Sequence, residues 1–153
     1  MFKIFIIEDD KQLVNLLKEH LHKFGYDAKS VEKFDTVREE FEEFEPHLVL
    51  LDVNLPKYDG YYWCRQIRSV STCPILFISA REGKMDQVMA LENGADDYIT
   101  KPFDYEIVIA KINSHLRRAY GTYASARNER TTSVEGLILD VERLRLTLKE
   151  QEV

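Results

Sequence analysis

Cysteine is scarce: Cys64 and Cys73 are the only two in 153 residues, and their separation is not a metal-ligand spacing. Both fall in segments that read as a helix and the start of a strand, so they are expected to be reduced and structural. Positive charge is also in deficit, with 21 Lys and Arg against 27 Asp and Glu for a net charge of −6. The bulk of the chain is therefore no electrostatic footprint for nucleic acid. No apolar run approaches the ~18 residues of a membrane span, and Met1-Phe-Lys-Ile4 leads straight into a strand without a charged-then-apolar leader. These absences predict a cytoplasmic protein with no membrane insertion.

What the chain does contain is a set of short apolar runs, each closed by a polar residue. With 44% hydrophobic residues it can bury one good core and carry a remainder. Phe2 to Ile7 reads as a strand delivering Glu8, Asp9 and Asp10 to its end. A helix follows, with Val14, Leu17, Leu21 and Phe24 on one face and Gly25 placed as a left-handed cap. Tyr26 to Val31 alternates as a half-exposed edge strand does. The next helix carries Phe34, Val37, Phe41 and Phe44 and is stopped by Pro46. Leu48-Val-Leu-Leu51 reads as a strand buried on both faces, and it ends at an acid, Asp52.

A helix through Tyr61, Trp63, Cys64 and Ile67 comes next, then Ile75-Leu-Phe-Ile78 ending at Ser79. Met85, Val88, Met89 and Glu92 belong to a shorter helix closed by Gly94. Ala95 to Ile99 is predicted as a strand leading into Thr100-Lys101-Pro102. A last helix carries Ile107, Val108, Ala110, Ile112 and Leu116, and Arg117 and Arg118 sit where its dipole is negative. Strands thus alternate with helices, which predicts an α/β fold with a parallel sheet covered on both faces. Ligands of such sheets bind beyond the carboxyl ends of the strands. Glu8, Asp9, Asp52, Ser79 and Lys101 all fall on that edge.

Three carboxylates gathered at one edge repel unless a cation joins them. Oxygen-only ligands in an incomplete protein shell suit Mg²⁺, and the turn at Leu55-Pro56 could aim the Asn54 backbone carbonyl at the same ion. Lys101 adds a point charge and Ser79 a hydroxyl. These are the parts needed to bind a phosphoryl group and offset its charge during in-line transfer, with the carboxylate as nucleophile. A buried salt-bridge cluster is the structural alternative.

Ile7-Glu-Asp-Asp10, Leu51-Asp-Val-Asn-Leu-Pro56, Ile78-Ser-Ala80 and Gly94-Ala-Asp-Asp-Tyr-Ile-Thr-Lys-Pro-Phe103 resemble the motifs of a two-component response-regulator receiver domain. The resemblance covers about residues 2 to 119. It implies a flavodoxin-like doubly wound sheet of five parallel strands in the order 2-1-3-4-5, with five helices. It also implies that Asp52 is the phosphoacceptor, charged from a sensor histidine kinase. Asp9, Asp52 and the Asn54 carbonyl would be direct Mg²⁺ ligands, with Glu8 acting through water. Lys101 would bind the phosphoryl group, Ser79 would be the switch hydroxyl and Tyr98 the switch aromatic, and the bond before Pro102 would be cis. Phosphorylation adds about one to two negative charges at one strand end, and Ser79 and Lys101 can follow them only if their loops move, biasing the surface of residues 84 to 119.

Asp96-Asp-Tyr-Ile-Thr-Lys-Pro-Phe103 and the terminal Arg117-Arg118 resemble the OmpR/PhoB-type regulators, which form symmetric homodimers through this surface when active. Asp97 and Lys111 match one of their charged pairs, whereas Gln87 and Ile107 stand where an arginine and a glutamate are common, suggesting a more apolar contact. The stretch Pro56-Lys-Tyr-Asp-Gly-Tyr-Tyr-Trp-Cys-Arg-Gln-Ile-Arg68 resembles the branch that answers cell-envelope-active antimicrobial peptides in Gram-positive bacteria. Trp63 and Cys64 themselves are expected to serve helix packing.

The receiver is expected over residues 1–119, a polar linker over 120–133, and over 134–153 a short C-terminal β fragment resembling the opening sheet of a winged-helix DNA-binding domain. Residues 120–153 carry five Lys or Arg and six Asp or Glu, a net of −1, and the recognition helix is not among them. Promoter DNA is thus expected as a partner only through a missing C-terminal domain. Two further readings compete: a stand-alone receiver in a phosphorelay or protein-binding switch, and a Mg²⁺-dependent phosphatase with an aspartyl nucleophile. Such phosphatases commonly carry an aspartate two residues after the nucleophile as general acid. Here that residue is Asn54, which has no proton to give, so no enzyme beyond self-phosphorylation and slow autodephosphorylation is expected. A flavodoxin-like cofactor role fails on its first loop, which is acidic rather than a Gly/Ser/Thr-rich phosphate cradle.

Overall fold

The apolar runs become the inner strands of a parallel sheet. In the computed structural model, which describes residues 1–121, the strands are β1 (Lys3–Ile7), β2 (Asp27–Ser30), β3 (Leu48–Leu51), β4 (Ile75–Ser79) and β5 (Asp97–Thr100). Between and after them run α1 (Lys11–Lys23), α2 (Val37–Phe44), α3 (Gly60–Arg68), α4 (Lys84–Glu92) and α5 (Tyr105–Ala119). The strand order is β2-β1-β3-β4-β5, with every pairing parallel, as the resemblance implies. The expected linker beyond Gly121 and the C-terminal β fragment lie outside the described residues.

Ile4 to Ile7, Leu48 to Leu51 and Ile75 to Ile78 are all 0% exposed, because strands of a doubly wound sheet are covered on both faces. Each such side chain contributes about 1.5–3 kcal/mol by leaving water. Phe5, Ile7, Val49, Leu51, Ile75 and Phe77 share one core with Val37 and Phe41 of α2 and Tyr61, Trp63, Cys64 and Ile67 of α3. Alternate strand residues point to the opposite face. On that side the right-handed crossover rule places α1, and its His20 ring stacks on Tyr105 at the start of α5 at 4.4 Å.

The chain divides into two units, Met1–Ile112 and a second from Asn113, of which the described part is the end of α5 and the two residues after it. Helix termini follow local chemistry. Asp10 caps α1 by accepting from the Gln12 and Leu13 amides, and Asp59 caps α3 through the Tyr62 amide. Gly25 and Gly94 take φ of +85° and +108° after α1 and α4, the left-handed region that a Cβ disfavours.

Three expectations need correction. Phe24 is not on the buried face of α1. It is the C-cap residue and 57% exposed, because the chain leaves the helix at Lys23 and the 3-4-3 spacing no longer applies there. Phe34 precedes α2 rather than opening it, although it packs on the same core. β5 begins at Asp97, not Ala95. The short helix expected through Met85, Val88, Met89 and Glu92 is present as α4; its Met85, Val88 and Met89 are exposed, and Ala90 alone is buried. In α5 Ile107, expected on the dimerisation face, and Ala110 face outward, while Val108, Ile109 and Ile112 are buried.

Candidate functional site

The carboxyl edge collects its groups by register. β1 and β3 pair side by side with Ile7 opposite Leu51, so the residues that follow, Glu8 and Asp52, leave the sheet together. Ser79 ends β4 and lies opposite Thr100 of β5, which puts Lys101 one step beyond it. Asp52 and Glu8 are 5% and 3% exposed, and Ser79 is fully buried. Buried polar groups of this kind must be paired.

They are. Lys101 Nζ donates to Glu8 Oε1 at 2.8 Å and to Asp52 Oδ2 at 3.2 Å. The second oxygen of each acid takes a backbone amide: Asp10 N–H to Glu8 Oε2 at 3.0 Å and Val53 N–H to Asp52 Oδ1 at 2.7 Å. Burial pushes the Glu8 carboxyl up to about 7, against the pull of the Lys101 ammonium and the Asp10 amide. Burial works against the charge of Lys101, but Glu8 and Asp52 outweigh it and hold its pKa above the usual value. The Lys101–Pro102 bond is cis.

Exposed Asp9 and its two buried neighbours make a donor set for a cation: Glu8, Asp9 and Asp52 each offer a carboxylate oxygen, all within 4.8 Å of one another. The donors are hard oxygens, and the exposed position of Asp9 leaves solvent access, the combination that fits Mg²⁺ with part of its water shell retained. Mg²⁺ held there would supply charge neutralisation for an anionic ligand. The arrangement can thus take an anion at a carboxylate flanked by one ammonium and one buried hydroxyl.

Ser79, Tyr98 and Asn54 sit around this corner. Ser79 Oγ accepts from the Arg81 amide at 3.1 Å. Tyr98 is half-buried, with its ring parallel to Phe77 at 6.1 Å and its hydroxyl donating outward to the Arg81 carbonyl at 2.7 Å. The Asn54 side-chain oxygen accepts from Arg81 Nη2 at 2.8 Å and Nε at 3.2 Å. Asp97, Lys111, Gln87 and Ile107 lie away from the corner. Lys111 Nζ and Asp97 Oδ2 pair within the chain at 3.2 Å, and Gln87 and Ile107 are exposed.

Two neighbours of the site escaped the sequence reading. Gly60 N–H donates to the Val53 carbonyl at 2.8 Å, and a Cβ on Gly60 would stand 2.1 Å from the Asp52 carbonyl oxygen. Only glycine allows α3 to start that close to the acid's own backbone. Arg81 touches Ser79, Tyr98 and Asn54 at once. Its position directly after Ile78-Ser-Ala80 was the only available signal.

Fold and edge together define a flavodoxin-like α/β protein with an acidic cluster at the carboxyl edge of its sheet. The profile of the response regulator receiver domain matches residues 4–113, and the chain belongs to that family. The transcriptional regulatory protein YxdJ of Bacillus subtilis is 53% identical over 152 residues, 99% of this chain and 66% of that protein. The response regulator protein GraR of Staphylococcus aureus is 45% identical over 139 residues, 91% of this chain and 61% of that one. Among solved structures, the N-terminal domain of the nisin resistance regulator NsrR, a lantibiotic response regulator, is 44% identical with a TM-score of 0.71, covering 76% of this chain and 99% of that one. The chain therefore spans about two thirds or less of the length of the curated relatives it matches.

Proposed function

We propose that this chain is the phosphorylation-switched receiver part of a transcription regulator, with Asp52 as the phosphoacceptor. The observation that carries the reading is a buried carboxylate, Asp52, held 3.2 Å from the Lys101 ammonium beside two further acids at a strand edge. An Asp52 oxygen attacks phosphorus of a histidine kinase's phosphohistidine, the P–N bond breaks, and its electron pair returns to the imidazole. Lys101 already faces Oδ2 and can follow the transferred oxygens, and Glu8, Asp9, Asp52 and the Asn54 carbonyl are the groups that would hold Mg²⁺. Ser79 gives up the Arg81 amide to donate to the phosphoryl group, and Tyr98 leaves the Arg81 carbonyl to fill the space behind it.

A switch rather than a hydrolase is supported by Asn54, which carries no acid to drive turnover and whose Oδ1 is occupied by Arg81. Homodimerisation on activation would use the face of α4, β5 and α5, where Met85, Val88, Met89, Leu91 and Ile107 are exposed. Residues 1–119 form the receiver, 120–133 the linker, and 134–153 the start of a winged-helix domain that reads promoter DNA when complete. Likeness to a named transcriptional regulator and to a lantibiotic response regulator supports a cytoplasmic regulator of the antimicrobial-peptide branch. Among the described residues no helix is long and apolar enough to cross a membrane.

The test is phosphoryl uptake from acetyl phosphate with Mg²⁺, read by intact mass and by the monomer–dimer ratio. One phosphoryl group on the native chain and none on Asp52→Asn is expected. Equal labelling of the two would remove Asp52 from the reading.

A further inference from the structure

The Arg81 and Asp86 side chains take no part in the phosphoryl transfer above, yet they join the phosphoacceptor's surroundings to α4. The Arg81 guanidinium is shared. Nε and Nη2 donate to the neutral Asn54 side chain, and Nη1 lies 3.4 Å from Asp86 Oδ1 in the first turn of α4. Asp86 has a second tie, because the Tyr61 hydroxyl of α3 donates to its Oδ1 at 3.2 Å and to its carbonyl at 3.3 Å. Burial, and then Asp86 itself, push the Tyr61 phenol up to about 12, so it remains a donor throughout the ordinary pH range. With Ala90 the only buried residue of α4, these polar ties are a large share of what holds its first turn.

The two contacts of Arg81 are unequal in kind. Asn54 offers a dipole two residues from Asp52, and Asp86 offers a charge across a gap that is 46% exposed on the arginine side. An ion pair this open is worth only about two- to fivefold in an equilibrium. A new dianionic group near Asn54 competes well against it, since hydrogen bonds from guanidinium to phosphoryl oxygens are among the strong ones.

We propose that Arg81 is a charge latch: in the resting chain it pins the first turn of α4 through Asp86, and the charge added at Asp52 draws it off, freeing that turn. The latch rests on Asp52 being the phosphoacceptor. It adds to the movement of Ser79 and Tyr98, which bond the Arg81 backbone, because it works through the arginine side-chain charge and ends on a carboxylate rather than on an aromatic ring. Differential attraction of Arg81 in the two charge states supplies the bias that any such shift requires.

Hydrogen exchange of the peptide Lys84–Glu92, measured on the full chain before and after acetyl phosphate and Mg²⁺, tests it, with the label located on Asp52 by mass. In the native chain labelling is expected to speed exchange by about two- to fivefold, the range of one exposed ion pair. Asp86→Asn and Arg81→Gln should show the faster rate already without label, with little added by labelling. Their double variant should match either single one, since both remove the same contact. Arg81→Lys, which keeps the charge, should retain the slow resting rate and the response. An undiminished labelling response in Asp86→Asn, additive single effects, or a labelled native chain with unchanged exchange would each overturn the latch and leave the phosphoacceptor standing. A native chain that takes no label on Asp52 removes both.

Discussion

Helices α3 and α4 are each nine residues long and lead into neighbouring strands, yet α3 buries Gly60, Tyr61, Trp63, Cys64 and Ile67 while α4 buries Ala90 alone. Polar ties reinforce the contrast. At the end of α3, Arg68 donates to the Gly94 and Cys73 carbonyls at 2.8 and 2.6 Å and pairs with Asp96 at 2.7 Å, locking the helix to the chain entering β4 and β5. At the start of α4 a single carboxylate, Asp86, receives Arg81 and Tyr61. The difference lies in the footing: α3 is set deep in the core, whereas α4 rests on one alanine with polar contacts at both ends, Asp86 at its start and Asn93, which accepts from Arg65 and Cys64, at its close.

Core truncation should break the comparison most visibly. Ile67→Ala, at a fully buried position of α3, is expected to cost about 2–5 kcal/mol. Met89→Ala on the outer side of α4 is expected to cost under about 0.5 kcal/mol, both read from urea unfolding midpoints. Equal losses would mean that α4 is footed as firmly as α3. Next in size is Gly60→Ala, where a methyl would meet the Asp52 carbonyl oxygen at 2.1 Å. Neither that backbone nor Phe77 beside it can give way cheaply, so a loss of about 1–3 kcal/mol is expected, along with slower phosphoryl uptake at the displaced Asp52.

A smaller effect follows from Glu8. Its folded pKa is raised to about 7, so its contribution to the stability of the metal-free chain is complete below the ordinary carboxylate range and is lost as pH rises through 7. Mg²⁺ binding, which needs the ionised acid, should run the other way and strengthen by about tenfold between pH 6 and pH 8; a titration followed by Trp63 fluorescence checks it. A flat profile would show that Glu8 is already ionised throughout. The smallest response is expected from the thiols of the well-footed side. Burial pushes Cys64 up to about 11 and raises Cys73 as well, so iodoacetamide at neutral pH should leave the folded chain unmodified and label both thiols after unfolding.

Much of this arrangement is legible in the sequence. Unbroken apolar runs ending in Glu8, Asp52 and Ser79 are readable because a strand covered on both faces tolerates no polar residue until it leaves the sheet. The same logic put Lys101 on that edge. Phe24 was misread because helical spacing shows which residues lie on one face, not where the helix ends or whether anything covers that face. Arg81 was missed because its partners, Asn54 and Asp86, come from different loops and helices, and no spacing along the chain marks such a meeting.

The sequence by itself determined the order of strands and helices, the acids, hydroxyl and lysine at the strand ends, and the family, since these follow from local periodicity and short motifs. Tertiary structure alone decided that Lys101 sits between Glu8 and Asp52, that Gly60 must lack a side chain, and that Arg81 spans Asn54 and Asp86. It also decided that α4 rests on one alanine. Those outcomes depend on which surfaces meet once the sheet is assembled, and distances between segments far apart in the chain are set only by that packing.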